Sequence, residues 1–253
     1  MAGLSWLRCG VARASKTSKA KTAARAPRRF SPLRWLLRWA FRGAVLVLVA
    51  LLIWVSWFAV MNPGATPYMR AESARLGALD YQWVRLDDVA PAMALSAVAA
   101  EDANFCSHWG FDMAAIRLAL EEGRARGAST ISQQVVKNVF LWQGRSWWRK
   151  ALEAGITPLV ETIWSKRRIL EMYLNIAEFD EGVFGVDAAA HHYFGIGPDA
   201  LSATQAARLA AILPNPKERS ASRPSDFVRR RANAIRDGAA TIQSDGRAAC
   251  FAG

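Results

Sequence analysis

The chain has 253 residues, enough for one or two domains with a sizeable core, and a formal net charge of +12. That charge is uneven: residues 1–42 hold 11 of the 33 Lys and Arg and none of the 21 Asp and Glu, so the remainder carries only +1. A nucleic-acid-binding fold, which needs its cations on the folded surface, is therefore disfavoured, and no nucleic-acid partner is expected.

Residues 1–42 are rich in Ala, Ser, Lys and Arg and predict a disordered basic arm. Residues 43–61 then run for 19 positions without a charge. As a helix that is about 28 Å, close to the ~30 Å hydrocarbon core of a bilayer. Trp54, Trp57 and Phe58 sit towards one end, where an aromatic belt belongs, and Asn62, Pro63 and Gly64 stop the helix. The rival is a cleaved signal peptide, but its apolar region is shorter and no convincing small-residue cleavage pattern follows Met61. With an uncleaved transmembrane helix, the positive-inside rule keeps residues 1–42 cytoplasmic and sends residues 62–253 across the membrane. Cys9 lies in the arm. Cys106 and Cys250 can pair, although two cysteines alone do not establish a bridge.

Residues 62–90 read as a linker and lead-in, in which YQWVRL alternates enough for a short strand. Beyond them the chain reads as helical, with a domain over residues 91–243 and a frayed tail over 244–253. PAMALSAVAA, from Pro91, predicts a buried helix that delivers Glu101 and Asp102 at its C-terminal end. The helix dipole disfavours negative charge there. The bland account is a solvated helix end; the functional one is a carboxylate with raised proton affinity, as a general base needs. Asp112 suits the N-cap of a helix that ends at Gly127.

In GASTISQQVVKNVFLWQGR, residues 127–145, Thr130 and Gln133 have capping-box spacing. Thr130, Gln134 and Lys137 share one helix face, beside a loop whose N–H groups can hold an anion. An ordinary amphipathic helix has the same pattern. In the next stretch, residues 146–179, Arg149 and Lys150 stand four and three residues before Glu153, a spacing that also describes exposed ion pairs. Pro158 predicts a kink or interruption. A second helix starts at Lys166, and Lys166, Arg167 and Arg168 read equally well as a solvated face. Trp147, Trp148 and the segment Phe140–Trp142 suit either a membrane-touching surface or the core. Adjacent His191 and His192 diverge on a helix and do not suit a shared metal. Ser202 and Gln205 cap another helix, and a basic amphipathic helix lies around residues 227–242.

EDANFCSHWGFD, GASTISQQVVKNVF, RKALE and KRRILEMYLNIAEF, in this order, resemble the successive motifs of the family 51 glycosyltransferase domain. That is the peptidoglycan polymerase domain of class A penicillin-binding proteins and of monofunctional biosynthetic transglycosylases. The resemblance covers residues 75–225. A lone Ser18-x-x-Lys21 without a following Lys-Thr-Gly indicates no transpeptidase, so the monofunctional type is implied. Two positions depart from the family pattern: Ala128 stands where a second glycine is usual, and Ser132 where threonine is commoner.

The resemblance implies a mainly α, lysozyme-like domain behind one N-terminal transmembrane helix, in the bacterial cytoplasmic membrane. Its substrates are implied to be lipid II and a growing glycan on undecaprenyl pyrophosphate, joined β-1,4 with inversion. Glu101 is implied as general base and Glu153 as the second catalytic glutamate. Lys137, Arg145, Lys150 and Arg149 are implied to hold the pyrophosphate, Ser129, Thr130 and Gln134 to line the donor side, and Phe105 and His108 to be structural or substrate-positioning. A divalent cation, Mg2+ or Mn2+, is implied, although the sequence shows no dedicated metal cage. Partners from cell-wall synthesis or division are expected through the transmembrane helix. Two other classes remain open: a lysozyme-like lytic enzyme, which has no pyrophosphate to hold, and an inactive membrane scaffold.

Overall fold

The computed structural model describes residues 31–121, 129–144 and 146–252. Arg145, Ala128 and the expected helix end at Gly127 lie outside them, as does most of the basic arm. The first helix, α1, spans Pro32–Val60, so the last eleven residues assigned to the arm are helical. The helix is long and apolar enough to cross a membrane. Two compact units divide the chain within it, residues 1–45 and 46–253. In the first, Trp35 meets Trp39 edge-on and Arg42 lies over the Trp39 ring.

In the second unit the end of α1 belongs to the domain core. Val55 is fully buried, its carbonyl accepts from Trp164 Nε1 at 2.8 Å, and Trp54 and Phe58 pack edge-on against Phe140. Arg168 donates to the carbonyls of Phe58 and Met61, which as helix-end groups have no partner within the helix. The expected linker is also structured. Helix α2, Pro67–Leu76, is capped by Thr66, and Tyr68 packs on Phe184 and donates to Glu178.

The expected strand over YQWVRL is only Asp80–Tyr81, β1. Farther along, the Asn175 side chain takes the place of a neighbouring strand: it accepts from Val84 N and donates to Val84 O, both at 2.8 Å. Strand β1 joins β2, Glu178–Asp180, and β3, Val183–Phe184, in the order β1-β3-β2, parallel to β3, while β2 and β3 are antiparallel.

The other elements are helices: α3 (Pro91–Glu101), α4 (Met113–Glu121), α5 (Ile131–Phe140), α6 (Trp147–Ile163), α7 (Lys166–Ile176), α8 (Val186–Phe194), α9 (Ala203–Ile212) and α10 (Asp226–Ser244). Their starts are local chemistry: Thr130, Ser146, Ser165, Ser202 and Ser225 each accept a hydrogen bond from the first turn. Pro158 does not interrupt α6, which runs on through it. Helix α3 lies against α9 and α10, while α5 lies against α6 and α7. The tail is not frayed. Cys250 is bonded to Cys106, and Phe251 is buried beside Phe105 with 6.3 Å between ring centroids. A covalent tie and an aromatic contact hold it to the loop after α3.

Candidate active site

Helix α3 is buried along most of its length and ends at Glu101. Burial raises the Glu101 pKa, opposed by a hydrogen bond from Gln134 and by the charges of Arg231 and Lys137. Gln134 Nε2 donates to Oε2 at 3.0 Å, and Arg231 Nη2 stands 4.0 Å from Oε1. The result is a carboxylate biased towards holding a proton, with three groups that limit the bias.

Asp102 is not frustrated. Its Oδ2 accepts from Ile131 N at 3.0 Å, at the first turn of α5, where a helix favours negative charge. Its Oδ1 meets His108 Nε2 at 2.7 Å. The residue next to Glu101 therefore ties the end of α3 to the start of α5, which carries Gln134 and Lys137. His108 Nδ1 is buried and without a hydrogen-bond partner among the described residues.

Thr130 caps α5 as its spacing predicts. Its hydroxyl accepts from Gln133 N and donates to Gly110 O at 2.7 Å, so this buried group is engaged in holding the loop. Gly110 has φ +81°, and a β-carbon there would stand 2.5 Å from Thr157 Cγ2. Both the conformation and the close approach require glycine. Phe105 is fully buried, with Lys166 Nζ 4.4 Å above its ring. Lys166 also donates to His108 O and pairs with Glu161 at 2.9 Å, and Glu161 accepts from buried Ser132. Lys166 is therefore not on a solvated face. Nor are its neighbours: Arg167 donates to Phe251 O and Arg168 to Phe58 O.

The cations form a second cluster. Glu153 is only 3% exposed, which rules out the surface ion pairs that its spacing also allows. It accepts from Arg149 Nη1 at 3.0 Å and from Lys150 Nζ. Lys150 also reaches Ser129 Oγ at 3.4 Å. Burial lowers the Lys137 pKa; Glu153 and Glu101 oppose this, while Arg149 and Lys150 add to it. Ser129, Thr130, Glu101 and Asp102 line one open depression of about 280 Å³. Trp147 and Trp148 are 84% and 78% exposed and so are not core, whereas Phe140 and Leu141 are buried.

Among the described residues no three His, Cys, Asp or Glu converge as a metal site. Glu153 already faces two cations and Glu101 faces Gln134 and Arg231. These residues do not fit a protein-held dication.

The Transglycosylase family profile matches residues 71–240, over half of the chain. The chain belongs to the transglycosylase family. Among similar proteins, the biosynthetic peptidoglycan transglycosylase of Jannaschia sp. (strain CCS1) is 57% identical over 95% of this chain and 98% of its own length. Those of Salmonella arizonae and Pectobacterium atrosepticum are each 48% identical, over 81% and 78% of this chain and 89% and 85% of theirs.

This transglycosylase is accordingly a glycosyltransferase with a mainly helical domain. Its site also holds a residue that the motifs do not mark. Arg231 sits in an Arg229–Arg231 run that reads only as a basic helix face. The available signal was angular: successive helix positions differ by about 100°, so only one of three adjacent arginines can face α3.

Proposed function

We propose that this transglycosylase polymerises lipid II onto a glycan carried by undecaprenyl pyrophosphate, forming β-1,4 linkages with inversion. The observation that carries the reading is the pairing of a largely but not fully buried carboxylate, Glu101, with a helix that presents Gln134 and Lys137 beside Arg149, Lys150 and Glu153. A hydrolase has no pyrophosphate and no use for that second cluster.

In the proposed step Glu101 takes the proton of the acceptor sugar 4-hydroxyl as its oxygen attacks the donor's anomeric carbon. The bond from that carbon to the pyrophosphate oxygen breaks, and the pyrophosphate leaves with the electron pair. Lys137, Arg149 and Lys150 offset the charge as it develops, and Glu153 holds two of them in place. Gln134 and Arg231 keep Glu101 ionised enough to accept the proton.

The lipid tail explains the apolar helix: tethering enzyme and substrate in one bilayer raises their effective concentration. Exposed Trp147 and Trp148 suit the membrane interface. The basic arm is placed in the cytoplasm and the domain outside it. The Cys106–Cys250 bond supports this, because such bonds persist in oxidising compartments.

The test is polymerisation of fluorescent lipid II by the full-length protein beside Glu101→Gln. Polymer from the parent and a loss of about 10²–10⁴-fold in the variant is expected for a general base. Equal rates would remove Glu101 from the role. Digestion of purified cell wall without polymer formation would replace the synthetic reading with a lytic one.

A further inference from the structure

Helix α10 turns one arginine towards Glu101 and others away from it. Arg231 is the residue at the carboxylate. Arg229, Asn233 and Arg236 stand at i, i+4 and i+7, a different face of the helix. There, with Thr204 and Arg208 of α9 and with Ala232, they enclose a pocket of about 90 Å³. It opens to solvent at exposed Thr204, Arg229, Asn233 and Arg236 and has room for a small group such as a carboxylate or a phosphate.

Three guanidinium groups and no acid line this pocket. Among the described residues Arg208 has no carboxylate within ion-pair distance. Among the same residues Arg236 pairs with its exposed neighbour Asp237, at 3.3 Å, and Arg229 with Asp226, while Arg229 also donates to Pro224 O. Elsewhere the domain interleaves its charges, with Lys217 between Glu72 and Glu178 and Arg75 between Glu72 and Glu181. Asp226 and Asp237 stand outside the lining, so the three guanidinium groups are only partly compensated where they face one another, and an oxyanion between them offsets the remaining repulsion.

We propose that this pocket is an oxyanion site and that its ligand is a carboxylate on the peptide stem of the glycan. The identity of the ligand rests on the peptidoglycan reading above. A helix is about 10–12 Å across with its side chains, so the pocket lies roughly one helix width from the face that meets Glu101. That offset is too large for the reacting sugar and right for a branch of the polymer. Guanidinium forks match the planar carboxylate, and the Thr204 hydroxyl and Asn233 amide offer hydrogen bonds to adjoining peptide groups. A stem held here keeps the chain on the enzyme between additions.

Phosphate has the same charge chemistry, so the experiment separates the two sources. Full-length protein in detergent is titrated calorimetrically with three probes: a lipid-free disaccharide pentapeptide, its carboxyl-amidated form, and inorganic phosphate. The free acid is expected to bind about tenfold tighter than the amide, and Arg236→Gln and Arg208→Gln each to remove about that factor for the acid alone. Arg236 is exposed, so its replacement leaves the fold intact even if Arg208→Gln does not. Equal binding of acid and amide, or acid binding unchanged in Arg236→Gln, overturns the proposal. Sensitivity to Arg236→Gln seen with phosphate alone overturns the stem as ligand. Binding is read without turnover, so its failure leaves the polymerase reading standing. A parent that binds but makes no polymer sinks only that reading.

Discussion

Gln134 Nε2 lies 3.0 Å from Glu101 Oε2, a hydrogen bond that joins the middle of α5 to the last residue of α3. Its donation favours the ionised carboxylate against the burial that raises the Glu101 pKa. Replacing Gln134 by Met keeps the volume and removes the donor. The Glu101 pKa then moves further up, and less of the base is ionised at a given pH. The acid limb of the kcat/KM profile is expected to shift to higher pH, with the loss of activity greatest at acid pH and recovering as pH rises. A profile that falls uniformly without moving would assign Gln134 to substrate binding instead.

Arg231 acts in the same direction from the other side of the carboxylate, through charge across 4.0 Å. Arg231→Gln is expected to shift the acid limb upward too. Here the effect should shrink as salt is added to the parent, because the arginine is one-third exposed and its field is screened. A salt-independent difference between parent and variant would point to direct contact with substrate.

The linkage of Glu101 to stability has a definite sign. Its pKa is raised by folding, so its contribution is fully present below the unfolded-state pKa and is lost as pH rises through the folded-state value. At neutral pH the charge on this largely enclosed side chain opposes folding. Glu101→Gln is therefore expected to raise Tm at pH 7 and to leave it unchanged well below the ordinary carboxylate pKa. Melting curves over this pH range check it. A variant less stable at pH 7 would show that the interactions with Gln134 and Arg231 outweigh burial.

The part of this site that is written locally can be read from the sequence. Thr130 and Gln133 cap α5 because their spacing alone permits it, and Pro91 starts α3 for the same reason. The motif order likewise marks Glu101, Gln134, Lys137 and Glu153 in the sequence. What escapes is long-range. The 4.0 Å approach of Arg231 to Glu101 depends on how α10 crosses α3, and no local signal fixes that angle. Asn175 replaces a strand for Val84 across 91 residues, so an alternating segment fails to extend as β-structure. In the sequence Arg168 is one of a charged triplet with no preferred face; the open carbonyls at the end of α1 give it one.

Glu153 is the hub of the cation cluster and nearly fully buried. Glu153→Gln leaves Arg149 facing a neutral amide and removes the charge that holds Lys150. Because Lys150 is half exposed, the expected loss is at or below about 3 kcal/mol, the low end for a broken buried pair. Lys137 also loses an attractive charge, so its pKa should fall further. Activity is therefore expected to fall most at alkaline pH, where Lys137 loses its proton first. Chemical denaturation and an alkaline pH–rate profile check the two effects separately, and a stable variant with an unmoved alkaline limb would remove Glu153 from this role.

The Cys106–Cys250 bond closes a loop with a sequence separation of 144 residues. For a loop of that length chain entropy alone gives roughly 5 kcal/mol as an upper value, and measured losses are commonly about 2–4 kcal/mol. Reduction, or the Cys106→Ser and Cys250→Ser pair, is expected to lower stability by that amount. The effect should reach the active site, because Cys106 lies in the loop between Asp102 and His108, whose side chains meet at 2.7 Å. Phe251, packed on Phe105, leaves with the tail. Activity is expected to fall at temperatures where the protein is still folded by circular dichroism, since loosening this loop frees Asp102 before the core melts. If activity and helicity are lost together on heating the reduced protein, the bond supports the whole domain and has no separate hold on the end of α3.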